Sequence, residues 1–266
     1  MAYGKNDDKV GQWSVDKLAL LKKYIPIFTK ATQKAHHRYY IDCFAGKGEW
    51  IHKETNKKVE GSAVIAMKHA KEFTHIYLIE FDKQRVNHLN KLAEKYSCTD
   101  KVTILHGDCN EKIHTVMNHI NKKAPTFVFL DPSKDQIKWK TIEFLSKWKT
   151  ELFMLFPYHM FLNRMLPTDK SKITKNNINR MNEFLGTDEW QPIYYDKVRV
   201  YYFSEIYDLY SSRINNLGYT YIYLSNVFRV QNGPNLYYMI FAGKHKAGMD
   251  IMKWVQRGQH EQLKLF

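Results

Sequence analysis

The chain has 266 residues, enough to bury a core without disulfide or metal support. At about 150 residues per domain it suits two domains or one enlarged α/β domain. Hydrophobic residues make up 44%, which excludes a disordered tail, and no run of about 18 apolar residues offers a membrane span. Lys and Arg number 41 against 27 Asp and Glu, a net charge of +14, and aromatic residues reach 15%; this balance favours a polyanionic partner whose bases can stack.

The opening MAYGKNDDKVGQW has no apolar core of a signal peptide. The three cysteines, Cys43, Cys98 and Cys109, read as free thiols of a cytoplasmic protein. The first predicted element is a helix over residues 14–31. Ser14 is its expected N-cap, Trp13 and Leu18 a hydrophobic staple, and Leu18, Leu21, Tyr24, Ile25 and Phe28 recur at helical spacing. Residues 1–37 are read as an N-terminal helical extension of one domain spanning 1–266.

From residue 38 the pattern alternates. Apolar strand-like runs stand at Tyr39–Phe44, His75–Ile79, Val102–His106, Thr126–Leu130 and Glu151–Phe156. Amphipathic stretches separate them at Ser62–Glu72, Gln84–Tyr96, Cys109–Asn121 and Lys140–Trp148. Near-continuous apolar strands imply a sheet covered on both faces, hence a mostly parallel, doubly wound α/β fold. After the fifth strand a segment at 158–203 is read as a helical insertion: Met160–Leu166, a polar loop Pro167–Asn179, then Arg180–Leu185. Between 163 and 182 it holds five basic residues (Arg164, Lys170, Lys172, Lys175 and Arg180) against one acid, Asp169. A helix at Ser204–Leu217, stopped by Gly218, precedes two strand-like runs, Tyr219–Val230 and Leu236–Ala242. The Gln-Asn-Gly-Pro-Asn between them predicts an antiparallel hairpin at one edge of the sheet.

The most informative stretch is Tyr39-Tyr-Ile-Asp-Cys-Phe-Ala-Gly-Lys-Gly48, a strand running into a glycine loop. No third glycine follows at dinucleotide spacing, polar residues 50–60 intervene before Gly61-Ser62-Ala63, and Asp42 would repel a diphosphate. The acids fit a cationic nucleoside better. Glu80 closes the second strand and can accept both hydroxyls of a ribose. Phe81 offers a face for adenine, Asp108 can accept from its exocyclic amine, and Asp42 can meet an ammonium. With Phe44, Ala45, Gly46 and Gly48 these residues form the expected binding site of S-adenosylmethionine (SAM). The plain alternative is that such acids cap helices at strand ends.

Asp131-Pro132-Ser133-Lys134 follows the fourth strand, where amino methyltransferases carry D-P-P-aromatic to hold a target amine and stack on its base. Asp131 and Pro132 are therefore the expected catalytic pair, and Ser133 and Lys134 depart from the pattern. Tyr158 and His159 after the fifth strand, with Arg164, Lys170, Lys172 and Lys175, complete the expected substrate side. Cys109, His114 and His119 are five residues apart, which scatters them around a helix, so no metal site is expected. No G-x-S-x-G or Walker A pattern occurs.

These motifs resemble the three-Cys-motif partner proteins (TcmP). The resemblance runs from Trp13-Ser-Val-Asp-Lys-Leu18 through the glycine loop, Gly61-Ser62-Ala63, Ile79-Glu-Phe-Asp82, Gly107-Asp-Cys-Asn110 and Phe129-Leu-Asp-Pro132. It ends at Leu236-Tyr-Tyr-Met-Ile-Phe-Ala-Gly-Lys-His245, with Gly248, Ile251 and Met252. It implies a Rossmann-like class I methyltransferase fold and a protein partner carrying a three-cysteine motif that itself resembles radical-SAM enzymes. The expected function is thus SAM-dependent methyl transfer to a nitrogen of DNA or RNA. The alternative is a non-catalytic adaptor for that partner.

Overall fold

The computed structural model describes residues 9–132, 137–157, 161–196, 202–225, 228–229 and 235–263. The chain divides into two compact units, 1–129 with 250–266, and 130–249.

The first unit opens with β1 (Lys9–Val10) and α1 (Gln12–Ala31). The helix starts two residues before its expected first turn. Gly11 is the N-cap, and the Ser14 amide donates to the Gly11 carbonyl at 3.0 Å, so Ser14 lies inside the helix. The predicted stripe is correct: Leu18, Leu21, Tyr24, Ile25 and Phe28 are all buried. The alternation follows as β2 (Tyr39–Asp42), β3 (Glu49–His52), β4 (Lys58–Glu60), α2 (Ser62–Met67), β5 (His75–Glu80), α3 (Lys83–Lys95), β6 (Val102–His106), α4 (Cys109–Asn118) and β7 (Thr126–Leu130). The predicted helix to Glu72 stops at Met67, and a separate 3-10 turn covers Ala70–Glu72.

β2 pairs in parallel with both β5 and β7, and β5 with β6. The order β7-β2-β5-β6 reverses direction at β2. That reversal is the switch point beside which open parallel sheets bind ligands. Every residue of β2 and β7 is buried, as their unbroken apolar runs require. Tyr24 and Phe28 of α1 cover the sheet, their ring centroids 4.8 and 5.7 Å from that of Phe127.

The polar stretch 50–60, to which the sequence assigned no element, is structured. β3 and β4 form an antiparallel hairpin, and β1 adds to β3 in parallel. Its pairing sets Glu49 opposite Glu60, which like-charge repulsion would oppose. Lysines remove the conflict: Glu49 pairs with Lys58 at 2.7 Å and Lys95 at 3.5 Å, and Glu60 pairs with Lys22 and Lys68. The Lys68 hydrogen bond holds the Glu60 carboxyl below the usual carboxylate range. Three of these four lysines stand on α1, at the end of α2 and on α3, and only Lys58 belongs to the hairpin itself.

The second unit contains α5 (Trp139–Leu145), β8 (Thr150–Phe156), α6 (Asn163–Met165), α7 (Lys175–Leu185), α8 (Trp190–Asp196), α9 (Tyr202–Asn216), β9 (Tyr221–Leu224), β10 (Phe228–Arg229) and β11 (Asn235–Gly243). β11 is antiparallel to β8, and also to β9 and β10, so the antiparallel ending is as predicted. The connection 231–234 lies outside the described residues. The insertion is more helical than expected. Thr174 caps α7 inside the predicted loop 167–179 by accepting from the Asn177 amide at 3.2 Å. Trp190 and Tyr194, both fully buried, centre this module. Trp190 donates to Asn182 Oδ1 at 2.7 Å, and the Tyr194 hydroxyl to the Pro167 carbonyl at 2.7 Å. α10 (Lys246–Leu263), which the sequence reading did not anticipate, crosses the division between 249 and 250.

Candidate functional site

The glycine loop leaves β2 and is fastened to its neighbours residue by residue. The Cys43 amide donates to the Phe129 carbonyl at 3.0 Å, and the Ala45 amide to the Ile79 carbonyl at 3.0 Å. Between them the Phe44 amide donates to Asp42 Oδ1 at 3.1 Å. The Tyr40 hydroxyl reaches Asp42 Oδ2 at 3.4 Å. Asp42 is fully buried and holds the turn in place from beneath.

Glu80, 7% exposed at the end of β5, joins the loop to the next element. Its Oε2 accepts from the Gly46 amide at 2.8 Å and its Oε1 from the Asp82 amide at 2.8 Å. A carboxylate oxygen has a second lone pair, so the clasped group can still accept one hydroxyl on each oxygen. Phe81 follows with its ring 74% exposed. Its carbonyl accepts from His106 Nε2 at 3.0 Å, so the backbone is held while the ring faces outward. This is the arrangement a ribose beside an adenine needs.

Gly46 and Gly48 have φ of +63° and +83°, a region where side chains are strained. They serve different purposes. A Cβ on Gly46 would stand 2.9 Å from Trp50 Cζ2. A Cβ on Gly48 would stand 2.7 Å from Leu92 Cδ1 and 3.3 Å from Val64 Cγ2. The second glycine is therefore there for close packing of α2 and α3 under the loop.

Asp108 sits apart in character. It is exposed and caps α4, its Oδ1 accepting from the Asn110 amide at 2.7 Å and side-chain amide at 2.9 Å. The capping role is thus in place at Asp108, while Asp42 and Glu80 are buried loop fasteners. Cys43 and Cys109 are buried, and burial, then the neighbouring Cys109 thiol, pushes the Cys43 thiol well above its ordinary range. Among the described residues no three His, Cys, Asp or Glu side chains group as metal ligands.

In the second unit Asp131 is half-buried and Pro132 buried, directly after β7. Ser133, Lys134, Tyr158 and His159 lie outside the described residues. Of the four expected cations, Lys170 donates to the Tyr195 carbonyl at 2.6 Å and Lys172 pairs with Asp169 at 3.4 Å. Arg164 and Lys175 are exposed. The sequence reading missed a cluster on the first unit: Lys47 Nζ and Arg85 Cζ lie 5.2 and 5.6 Å from the Trp50 ring centroid. Its one linear signal was a tryptophan two residues past the glycine loop.

The family model described as RNA cap guanine-N2 methyltransferase matches residues 60–148. Protein LPL1258 of Legionella pneumophila is similar in structure, with a TM-score of 0.56 at 14% identity, covering 94% of this chain and 91% of that one. An rRNA methylase of Streptococcus thermophilus gives a TM-score of 0.43 at 7% identity, covering 84% and 97%. SMU.1697c of Streptococcus mutans, solved in complex with S-adenosylhomocysteine, gives 0.39 at 11% identity, covering 82% and 97%. A search of curated proteins returns no match. No helix of the described residues is long and apolar enough to cross a membrane. The fold is the Rossmann-like class I methyltransferase fold, and the matched segment carries Glu80, Phe81 and Asp108. Residues 60–148 thus match a methyltransferase model, on the fold that such enzymes share.

Proposed function

We propose that the chain methylates a base nitrogen of RNA, with the exocyclic amine of a purine or pyrimidine as acceptor. The observation that carries this reading is the match of the RNA cap guanine-N2 methyltransferase model across β5, β6 and β7, which lead to Glu80, Asp108 and Asp131. The net charge of +14 supports a polyanionic substrate. The cofactor, when bound, supplies an electrophilic methyl group on a sulfonium. Glu80 accepts the ribose hydroxyls and Phe81 covers the adenine. Asp42 shapes the loop, with Phe44, Ala45, Gly46 and Gly48, and Asp108 sets the adenine edge. Asp131 accepts a hydrogen bond from the acceptor amine, which turns the nitrogen lone pair toward the methyl group, and Pro132 fixes that turn. This is catalysis by positioning. Arg164 and Lys175, with Lys170 and Lys172, lie along the phosphates; Ser133, Lys134, Tyr158 and His159 belong to the substrate side of the same reading. The finer relationship to the three-Cys-motif partner proteins rests on the motif run from Trp13 to Met252.

The test is transfer of labelled methyl from SAM to total RNA and to DNA. RNA is expected to be labelled. Asp131→Ala is expected to lose about a hundredfold or more of the rate, in the range of a positioned polar group, with S-adenosylhomocysteine affinity unchanged. Labelled DNA with unlabelled RNA overturns the RNA assignment. A wild-type protein that binds S-adenosylhomocysteine and labels neither would instead favour the adaptor role. RNA affinity is expected to fall with salt, with a log–log slope near −0.7 per phosphate contacted on a single strand; Arg164→Met with Lys175→Met should make that slope shallower by about 1.4.

A further inference from the structure

SAM carries an ammonium, a sulfonium and one carboxylate. None of the acids at the strand ends can receive the carboxylate. In many nucleotide-binding loops backbone amides meet an anion. Here four consecutive amides are already engaged: Cys43 with the Phe129 carbonyl, Phe44 with Asp42, Ala45 with the Ile79 carbonyl and Gly46 with Glu80. Those four amides are therefore not open to an anion, and side-chain cations are the remaining charged groups that could meet one.

Two cations stand there. Lys47 occupies the position between the two loop glycines. Its Nζ lies 5.2 Å from the centroid of Trp50, and Arg85 Cζ lies 5.6 Å from the same ring. Both are within the range of cation–π attraction. The ring is itself fixed. It sits against the loop so closely that a Cβ on Gly46 would meet Cζ2 at 2.9 Å and a Cβ on Gly61 would meet Nε1 at 3.1 Å. Arg85 is fixed from its backbone, its amide donating to the helix-capping Asp82 Oδ1 at 2.9 Å. Trp50 comes from the β3–β4 hairpin, which lies outside the strand–helix alternation of the parallel sheet. The hairpin thus brings one aromatic ring to the glycine loop, and the ring gathers two cations beside it.

We propose that Lys47 and Arg85, gathered on Trp50, form the subsite for the cofactor's carboxylate and make the protein select ligands that carry the amino-acid end. The proposal rests on SAM as cofactor. It is tested by calorimetric titration of the full chain with S-adenosylhomocysteine and with 5′-methylthioadenosine, which shares the nucleoside and lacks the amino-acid end. Lys47→Met and Arg85→Met keep most of the apolar stem against Trp50. Each is expected to weaken S-adenosylhomocysteine by roughly ten- to a hundredfold, the span of one charge-assisted hydrogen bond, and to leave 5′-methylthioadenosine within about threefold, since none of its atoms meets the cations. Equal weakening of both ligands would make the cluster a support of the loop and overturn the proposal. Unchanged binding of both ligands, with weaker binding of an RNA oligonucleotide, would place the cations on phosphate and overturn it too. Wild-type protein that binds neither ligand overturns the cofactor reading itself, and this proposal with it.

Discussion

Glu80→Gln is expected to lower S-adenosylhomocysteine affinity by about a hundredfold, the equivalent of losing two charge-assisted hydrogen bonds of about 1.5 kcal/mol each. Glutamine keeps the shape of the side chain, so the effect is one of hydrogen-bond chemistry. Both oxygens of Glu80 now accept from backbone amides, Gly46 at 2.8 Å and Asp82 at 2.8 Å. Glutamine has one oxygen and one amino group. Whichever way it is flipped, an N–H faces the N–H of Gly46 or of Asp82. The loop must then let go on one side, and a buried donor is left unmatched at a cost of about 1–3 kcal/mol. Calorimetry reads the first consequence and urea unfolding the second. Wild-type affinity in this variant would show that the ribose does not sit on Glu80. Destabilisation without loss of affinity would leave Glu80 as a fastener only.

Gly186→Ala is expected to destabilise the second unit by about 2–5 kcal/mol, combining a left-handed backbone with overpacking. Gly186 ends α7 with φ +72°. A Cβ there would stand 2.1 Å from Trp139 Cγ and 2.7 Å from Trp139 Cβ. Trp139 is buried and has no easy retreat. Arg213 lies over its ring at 4.7 Å and donates to the Gly186 carbonyl at 2.9 Å. Moving the indole therefore disturbs a contact that ties α9 to the end of α7. Gly218→Ala is the control: φ is +90°, yet nothing stands within 4 Å of the added Cβ. It is expected to show the backbone strain alone, about 1 kcal/mol. Urea unfolding of the two variants separates the steric part from the conformational part. Equal losses would mean that Trp139 yields freely.

The run Thr126–Leu130 matches the structure at both ends because a buried strand must be apolar throughout, which is a local property; Val102–His106 matches as well, although only Val102 of that edge strand is buried. The stripe of α1 was legible for the same reason, although its first turn was not. Ser14 carries the chemistry of a cap, but Gly11, directly after β1, holds the position. The hairpin at 49–60 was hidden because three of the four lysines that offset its facing glutamates, Lys22, Lys68 and Lys95, stand on other elements. α7 was cut short because its run of asparagines reads as loop. Thr174 and the contact with buried Trp190, through Asn182, override that preference.

At the site, the sequence by itself determined the α/β alternation, the glycine loop and the acids that close β2, β5 and β6. Each of these is written within a few consecutive residues. Only the tertiary structure decided what the acids do. Glu80 clasps Gly46 across 34 positions of chain, whereas Asp108 caps its own helix two residues away. It also decided that Gly48 is required by Leu92 and Val64, and that Trp50 collects Lys47 and Arg85. The physical reason is register. Once β2 lies between β5 and β7, groups far apart in sequence meet at hydrogen-bond distance, and which groups meet is fixed by strand pairing that no local pattern encodes.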